Sequence, residues 1–186
     1  KKTIEQTKPD DAALKQVLNG YCGFNDNYPD GLYIADENGT LITADDSSKN
    51  DSDPTSSEWY KGGLTRVNMG FTDAYTNEDG DAVISASGIL NDGSDTLKVI
   101  SADLSLDRIS IIVNSFIEMD DAQAFLVNPK NGSILAHRDS SMISTKLSDS
   151  RDGFLKDVGT KVADGDYSLT KIDGNMTAFS EISGTD

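Results

Sequence analysis

The sequence predicts an α+β fold built from two tandem modules of antiparallel strands and helices, the second smaller than the first. Three observations carry this expectation. Short apolar runs are paired around Asx-Gly turns, a hairpin signature. The stretch 32–44 is echoed by 124–137, each running strand, Asx, variable residue, Asn-Gly, strand. Between the two copies, residues 105–119 show helical periodicity.

The elements follow in order. Residues 10–22 read as a helix, with Asp10 or Asp11 as cap and Ala13, Leu14, Val17, Leu18 and Tyr21 at helical spacing. Gly20 and Gly23 end it. Leu32–Ala35 and Leu41–Ala44 form a hairpin around Asp36-Glu37-Asn38-Gly39. Residues 45–57, rich in Asp, Ser, Asn and Thr with one Pro, make a surface loop. Trp59 begins a short helical piece reaching about Val67. Ala82–Ile89 and Thr96–Leu104 pair through Asn91-Asp92-Gly93-Ser94. The next helix turns Leu106, Ile109, Ile112, Val113 and Phe116 to one face, with Ser105 or Asp107 as cap. Ala124–Asn128 and Ser133–His137 form the repeated hairpin, and Asp166–Ile172 pairs with Asn175–Ile182 around Asp173-Gly174.

Composition excludes several functions. Of 186 residues, 32 are Asp or Glu against 16 Lys or Arg, a net charge of −16, so the chain lacks the basic patches that phosphate backbones require. No nucleic-acid partner is expected. The balance suits a soluble extracytoplasmic surface. Mean hydropathy is −0.43, which calls for a thin or divided core. The single cysteine, Cys22, permits no internal disulfide and no zinc set, and reads as a small buried apolar residue. No run reaches the ~18–20 apolar residues of a membrane span. The ends, Lys1-Lys2-Thr3 and Ser183-Gly184-Thr185-Asp186, read as those of an excised domain.

The chemistry-bearing residues cluster in one region. Trp59, the only tryptophan, stands beside Tyr60 in polar, Gly-rich surroundings. Phe71-Thr72-Asp73-Ala74-Tyr75 follows, and Val99–Leu104 ends a strand with Asp103. Aromatic walls and one placed carboxylate make a small-molecule pocket, particularly for a ligand carrying an amino group. Each residue also has a structural reading. Trp59 and Tyr60 could anchor the loop to the core, Asp103 could cap the following helix, and Asp73 could form a turn. His137, the only histidine, has no partners for metal or catalysis and reads as architecture. Asn50-Asp51-Ser52-Asp53 lacks the ligand spacing, central Gly and terminal Glu of a calcium loop, and reads as solvated. No metal or cofactor is expected. No G-x-S-x-G elbow, Cys/His pair or paired acidic motif marks an enzyme.

Taken together, these segments resemble the double Cache sensor domains of bacterial chemoreceptors, sensor kinases and cyclic-di-GMP enzymes. The resemblance runs through Asp36-Glu37-Asn38-Gly39, Trp59-Tyr60, Phe71–Tyr75, Val83-Ile84-Ser85, Ile100–Leu106 and Ala124–His137. It implies an extracytoplasmic domain in which a long N-terminal helix carries two PAS-like antiparallel-sheet modules. On this plan residues 1–30 are helix and connector, and 31–104 the membrane-distal, ligand-holding module. Residues 105–120 then connect to a smaller membrane-proximal module at 121–186. Amino-acid binders of the family hold the ligand carboxylate with an Arg two residues before the Trp. Their Trp and Tyr supply walls and hydrogen bonds, and the strand-end Asp takes the ammonium group. This chain keeps Trp59, Tyr60, Tyr75 and Asp103 but has Ser57 in the Arg position. A hydroxyl cannot replace the bidentate Arg–carboxylate contact. The expected ligand is therefore an amine, a neutral molecule, or an amino-acid-like compound held by another cation such as Arg66.

The function expected is small-molecule sensing by a membrane receptor, a chemoreceptor foremost, anchored by flanking transmembrane helices. A homodimer stays open. The alternatives are a structural or dimerising ectodomain without ligand, and the sensor of a histidine kinase or diguanylate cyclase whose output lies elsewhere.

Overall fold

The chain opens with two short helices, α1 (Lys2–Thr7) and α2 (Asp11–Asn19). The computed structural model describes residues 1–8, 10–21, 31–44, 53–115, 117–119 and 121–182. The expected long N-terminal helix is broken at Lys8, which adopts left-handed φ 47 and ψ 56 directly before Pro9. A residue preceding proline is driven out of the right-handed helical region by the pyrrolidine ring. Asp10 restarts the helix by accepting from Ala13 N at 2.9 Å. Leu14 and Leu18 are buried as their spacing predicts, whereas Tyr21 lies beyond the helix end and is exposed. Cys22, Gly23, Phe116, the C-terminal Ser183–Asp186 and most of the 45–57 loop lie outside the described residues.

Among the described residues, the chain divides into two units, Lys1–Ser105 and Leu106–Thr185. The first is built on an antiparallel sheet. Its strands are β1 (Tyr33–Asp36), β2 (Leu41–Ile42), β3 (Gly70–Phe71), β4 (Tyr75–Thr76), β5 (Ala82–Leu90) and β6 (Lys98–Ser105). They lie in the order β2-β1-β6-β5-β3, with β4 also pairing β5. Helix α3 (Glu58–Leu64) crosses one face.

The β5–β6 register sorts the side chains. Ser85 stands opposite Asp103, Ser87 opposite Ser101, and Ile84 opposite Leu104. Because side chains alternate across a strand, Ser85, Ser87, Ser101 and Asp103 share one face. Tyr33 joins it opposite Ser101, and Tyr75 joins it opposite Val83. The other face carries Ile34, Leu90 and Ile100, which pack with Ile4, Leu14 and Leu18 of the two N-terminal helices. One side of the sheet is therefore an ordinary apolar core, while the α3 side holds a buried polar row. Gly63 allows α3 to lie flat there, since a Cβ on it would meet Val99 Cγ1 at 2.3 Å.

The second unit begins with α4 (Leu106–Ser115). It continues with the hairpin β7 (Leu126–Val127) and β8 (Ile134–Ala136), α5 (Gly153–Ala163), and the hairpin β9 (Thr170–Ile172) and β10 (Asn175–Thr177). Asp173 and Gly174 both take positive φ, 44 and 85, the backbone that an Asp-Gly hairpin turn requires. The unit has its own core of Ile134, Leu147, Leu155, Val158 and Ile172. Helix α5, absent from the sequence reading, starts where Asp152 accepts from Leu155 N at 3.3 Å. Its Leu155, Val158 and Val162 supply much of this core. His137 is structural here: its Nδ1 accepts from Asp139 N at 3.0 Å and its ring packs against Phe125.

Candidate ligand-binding site

Three local devices bring the site residues together. Asp53 accepts from Thr55 N at 2.9 Å and starts a short turn of 3-10 helix over Pro54–Ser56. Ser57 then caps α3, accepting from Tyr60 N at 3.3 Å and donating to Pro54 O at 2.6 Å. This fixes Trp59 on the first turn of α3, above the sheet. Thr72 clamps β5 from the other side: its N donates to Ser85 O and its Oγ1 accepts from Ser85 N, both at 2.9 Å. The clamp sets β4 beside the start of β5 and turns Tyr75 onto the polar face.

Asp103 is the hub. Its Oδ1 accepts from the Tyr33 hydroxyl, from Ser85 Oγ at 2.5 Å and from Tyr75 OH at 3.3 Å. Ser85 and Tyr75 share a further hydrogen bond at 2.6 Å. Ser85 gives its one proton to Asp103, so the single Tyr75 proton is shared between Ser85 Oγ and, at the longer distance, Asp103 Oδ1. Asp103 is 6% exposed, and its Oδ2 takes no hydrogen bond among the described residues. Burial, and after it the Asp103 charge, pushes the hydroxyl pKa values of Tyr33 and Tyr75 well above the ordinary tyrosine range. Both phenols stay protonated and serve as donors.

Above this hub lies a cavity of about 230 Å³. Asp103, Tyr33 and Tyr75 line it from the sheet, and Ser56, Ser57, Glu58 and Trp59 from the helix side. Thr76 of β4 and Asn77, Glu78 and Asp79 of the β4–β5 turn, together with Leu41 and Pro54, complete the lining. Trp59 is held edge-on against Tyr33, ring centroids 4.8 Å apart at 80°. Among the described lining residues there is no lysine or arginine.

The sequence candidates divide. The structure brings Trp59, Tyr75, Asp103 and Ser57 to one cavity. Tyr60 is buried but points elsewhere, because one residue along a helix turns the side chain by about 100°. Its ring packs edge-on against Trp59 at 5.7 Å, and burial and the charges of Glu37, Asp36 and Asp53 raise its pKa. Asp73 is exposed in the link between β3 and β4 and does not line the cavity. Arg66 does not line it either: its Nη2 donates to Phe71 O at 2.7 Å. Sequence reasoning missed Tyr33, Ser85 and Asn77. Ser85 and Asp103 carried a signal, polar residues at alternate positions of otherwise apolar strands, whereas Tyr33 read only as a strand residue.

A mixed helix and antiparallel-sheet fold with an aromatic cavity over a buried carboxylate defines a ligand-binding sensor domain. The chain belongs to the family described as methyl-accepting chemotaxis protein-like, first PDC sensor domain, which matches residues 11–111. It is thus a chemotaxis-receptor sensor domain. It is 30% identical over 156 residues to the methyl-accepting chemotaxis protein McpG of Pseudomonas putida. That match covers 82% of this chain, which spans 24% of the relative's length. Among solved structures, the ligand-binding domain of the Pseudomonas fluorescens chemoreceptor CtaA, in complex with L-valine, superposes with a TM-score of 0.67 at 22% identity. This covers 95% of the present chain and 82% of that one. The ligand-binding domain of the Pseudomonas aeruginosa amino acid chemoreceptor PctC, in complex with GABA, gives 0.60 at 25% identity, covering 79% and 68%.

Proposed function

We propose that this chain is the extracytoplasmic sensing part of a transmembrane chemotaxis receptor, and that the α3 cavity takes a small ligand carrying an ammonium group. The observation that carries the reading is Asp103, a buried carboxylate in the lining of an aromatic-walled cavity whose Oδ2 takes no hydrogen bond among the described residues. An ammonium set there meets a charged acceptor in a partly desolvated site, and its flanks meet the faces of Trp59 and Tyr75. The amino-bearing ligands of the PctC and CtaA domains support the same class. In this reading the two units correspond to membrane-distal and membrane-proximal PAS-like modules, and the ligand stabilises one of two arrangements of the first. Flanking membrane helices, pairing of copies and an output domain belong to the rest of the receptor.

A thermal-shift screen of amines, amino acids, nucleobases and organic acids, followed by calorimetry, tests the proposal. Amines should stabilise the chain, and Asp103→Asn should abolish the effect. Tight binding of a free dicarboxylate that survives Asp103→Ala would overturn it.

A further inference from the structure

The cavity carries more negative charge than one ammonium group can answer. Asp103 lines it, and so do Glu58 and Asp79. Glu58 and Asp79 come from different elements, the first turn of α3 and the β4–β5 turn, and both are exposed at the mouth. Glu58 lines the same cavity as Trp59 and Tyr75. The N-terminus of α3, which could otherwise favour an anion, is already answered. Ser57 Oγ takes the Tyr60 amide, and Glu58 complements the helix dipole from the first turn. A ligand carboxylate at the mouth would therefore face like charge and find no lysine or arginine among the described lining residues.

We propose that the ligand is a dication, a straight-chain diamine with one ammonium on Asp103 and the second at the acidic mouth formed by Glu58 and Asp79. The proposal rests on the amine reading of the same cavity and adds the chemistry of the ligand's far end. The methylene chain would lie along Trp59 and Tyr75, whose faces accept apolar carbon as well as cations. The acidic mouth would also draw a dication toward the site before contact.

Three probes share one ammonium and the same carbon length and differ only at the far end: putrescine ends in ammonium, butylamine in methyl, γ-aminobutyrate in carboxylate. Calorimetry on the purified chain at low ionic strength should rank them in that order. Putrescine should bind about fivefold tighter than butylamine, as partly exposed ion pairs supply. Raising the salt should shrink that ratio, because the mouth is solvent-accessible. In the double variant Glu58→Gln, Asp79→Asn the putrescine-to-butylamine ratio should fall toward one. Butylamine or γ-aminobutyrate binding as tightly as putrescine, or a ratio that the double variant leaves intact, would overturn the dication while leaving the amine site standing. Failure of all three probes to bind a chain with a normal thermal transition would overturn both.

Discussion

Ser85 and Asp103 stand opposite each other in the β5–β6 ladder, and Ser85 Oγ donates to Asp103 Oδ1 at 2.5 Å. The pair divides the carboxylate in two: Oδ1 accepts from the Ser85, Tyr33 and Tyr75 hydroxyls, while Oδ2 takes no hydrogen bond among the described residues, and Asp103 lines the cavity. The hydroxyl network holds the carboxylate in one orientation.

Removing the carboxylate acts on both halves. Asp103→Ala should lower stability by about 1–3 kcal/mol, because the buried Tyr33 and Ser85 hydroxyls lose their acceptor. Asp103→Asn keeps the shape and should cost less stability but still abolish amine binding. Urea unfolding beside calorimetry separates the two effects; unchanged stability in Asp103→Ala would contradict the network.

Close approach of α3 depends on Gly63. Gly63→Ala should destabilise by about 1–3 kcal/mol, since the new methyl must displace Val99 or lift the helix. Gly153→Ala is the contrast: nothing lies within 4 Å of its Cβ position and its φ is not positive. That change should stabilise by about 0.4–1 kcal/mol. Paired denaturation curves check the opposite signs.

Trp59 is the only tryptophan and lines the cavity. Its fluorescence is therefore a site-specific reporter. Titration with a bound amine should shift or quench the emission with the same dissociation constant that calorimetry gives. Binding heat without any spectral change would move the ligand away from Trp59.

The pH profile has two limbs. Burial would raise the Asp92 carboxyl, but hydrogen bonds from Lys98 and Ser94 outweigh it and hold it at about 2, against 3.8 for an unperturbed group. A depressed pKa stabilises above the unfolded value, so this contribution is complete above about pH 4 and lost as pH falls toward 2. Lys98→Met should flatten that acid limb. Tyr33 and Tyr75 are shifted the other way, from a reference of 10.0. Their contribution is complete below about pH 10 and lost as pH rises beyond it, and Tyr75→Phe should reduce that alkaline loss.

The resemblance of the sequence to double Cache domains implies that Ser57 stands where amino-acid binders carry an arginine. Ser57→Arg should introduce a guanidinium into a cavity whose described lining has none, and raise affinity for amino acids relative to simple amines. Loss of the α3 cap should cost about 1 kcal/mol. Calorimetry with an amino acid and its decarboxylated amine reads the change in preference; an unaltered ratio would show that residue 57 does not face the ligand's acid end.

Periodicity and turn chemistry by themselves determined most of the local structure. Asx-Gly turns placed the hairpins, and Asp10 and the Leu14–Leu18 spacing placed α2, because caps, turns and amphipathic faces are properties of a few neighbouring residues. The same local order made Trp59, Tyr75 and Asp103 stand out. The long N-terminal helix implied by the resemblance is broken at Lys8, where Pro9 constrains the residue before it. What only tertiary structure decided was direction and partnership. Tyr33 reaches Asp103 because β1 pairs with β6, a contact across 70 positions that no local pattern encodes. Tyr60 and Arg66 turn from the cavity because helix phase and the Phe71 carbonyl claim them. Register and helix phase arise from long-range packing, and they convert a list of polar and aromatic residues into one buried carboxylate in the lining of an aromatic cavity.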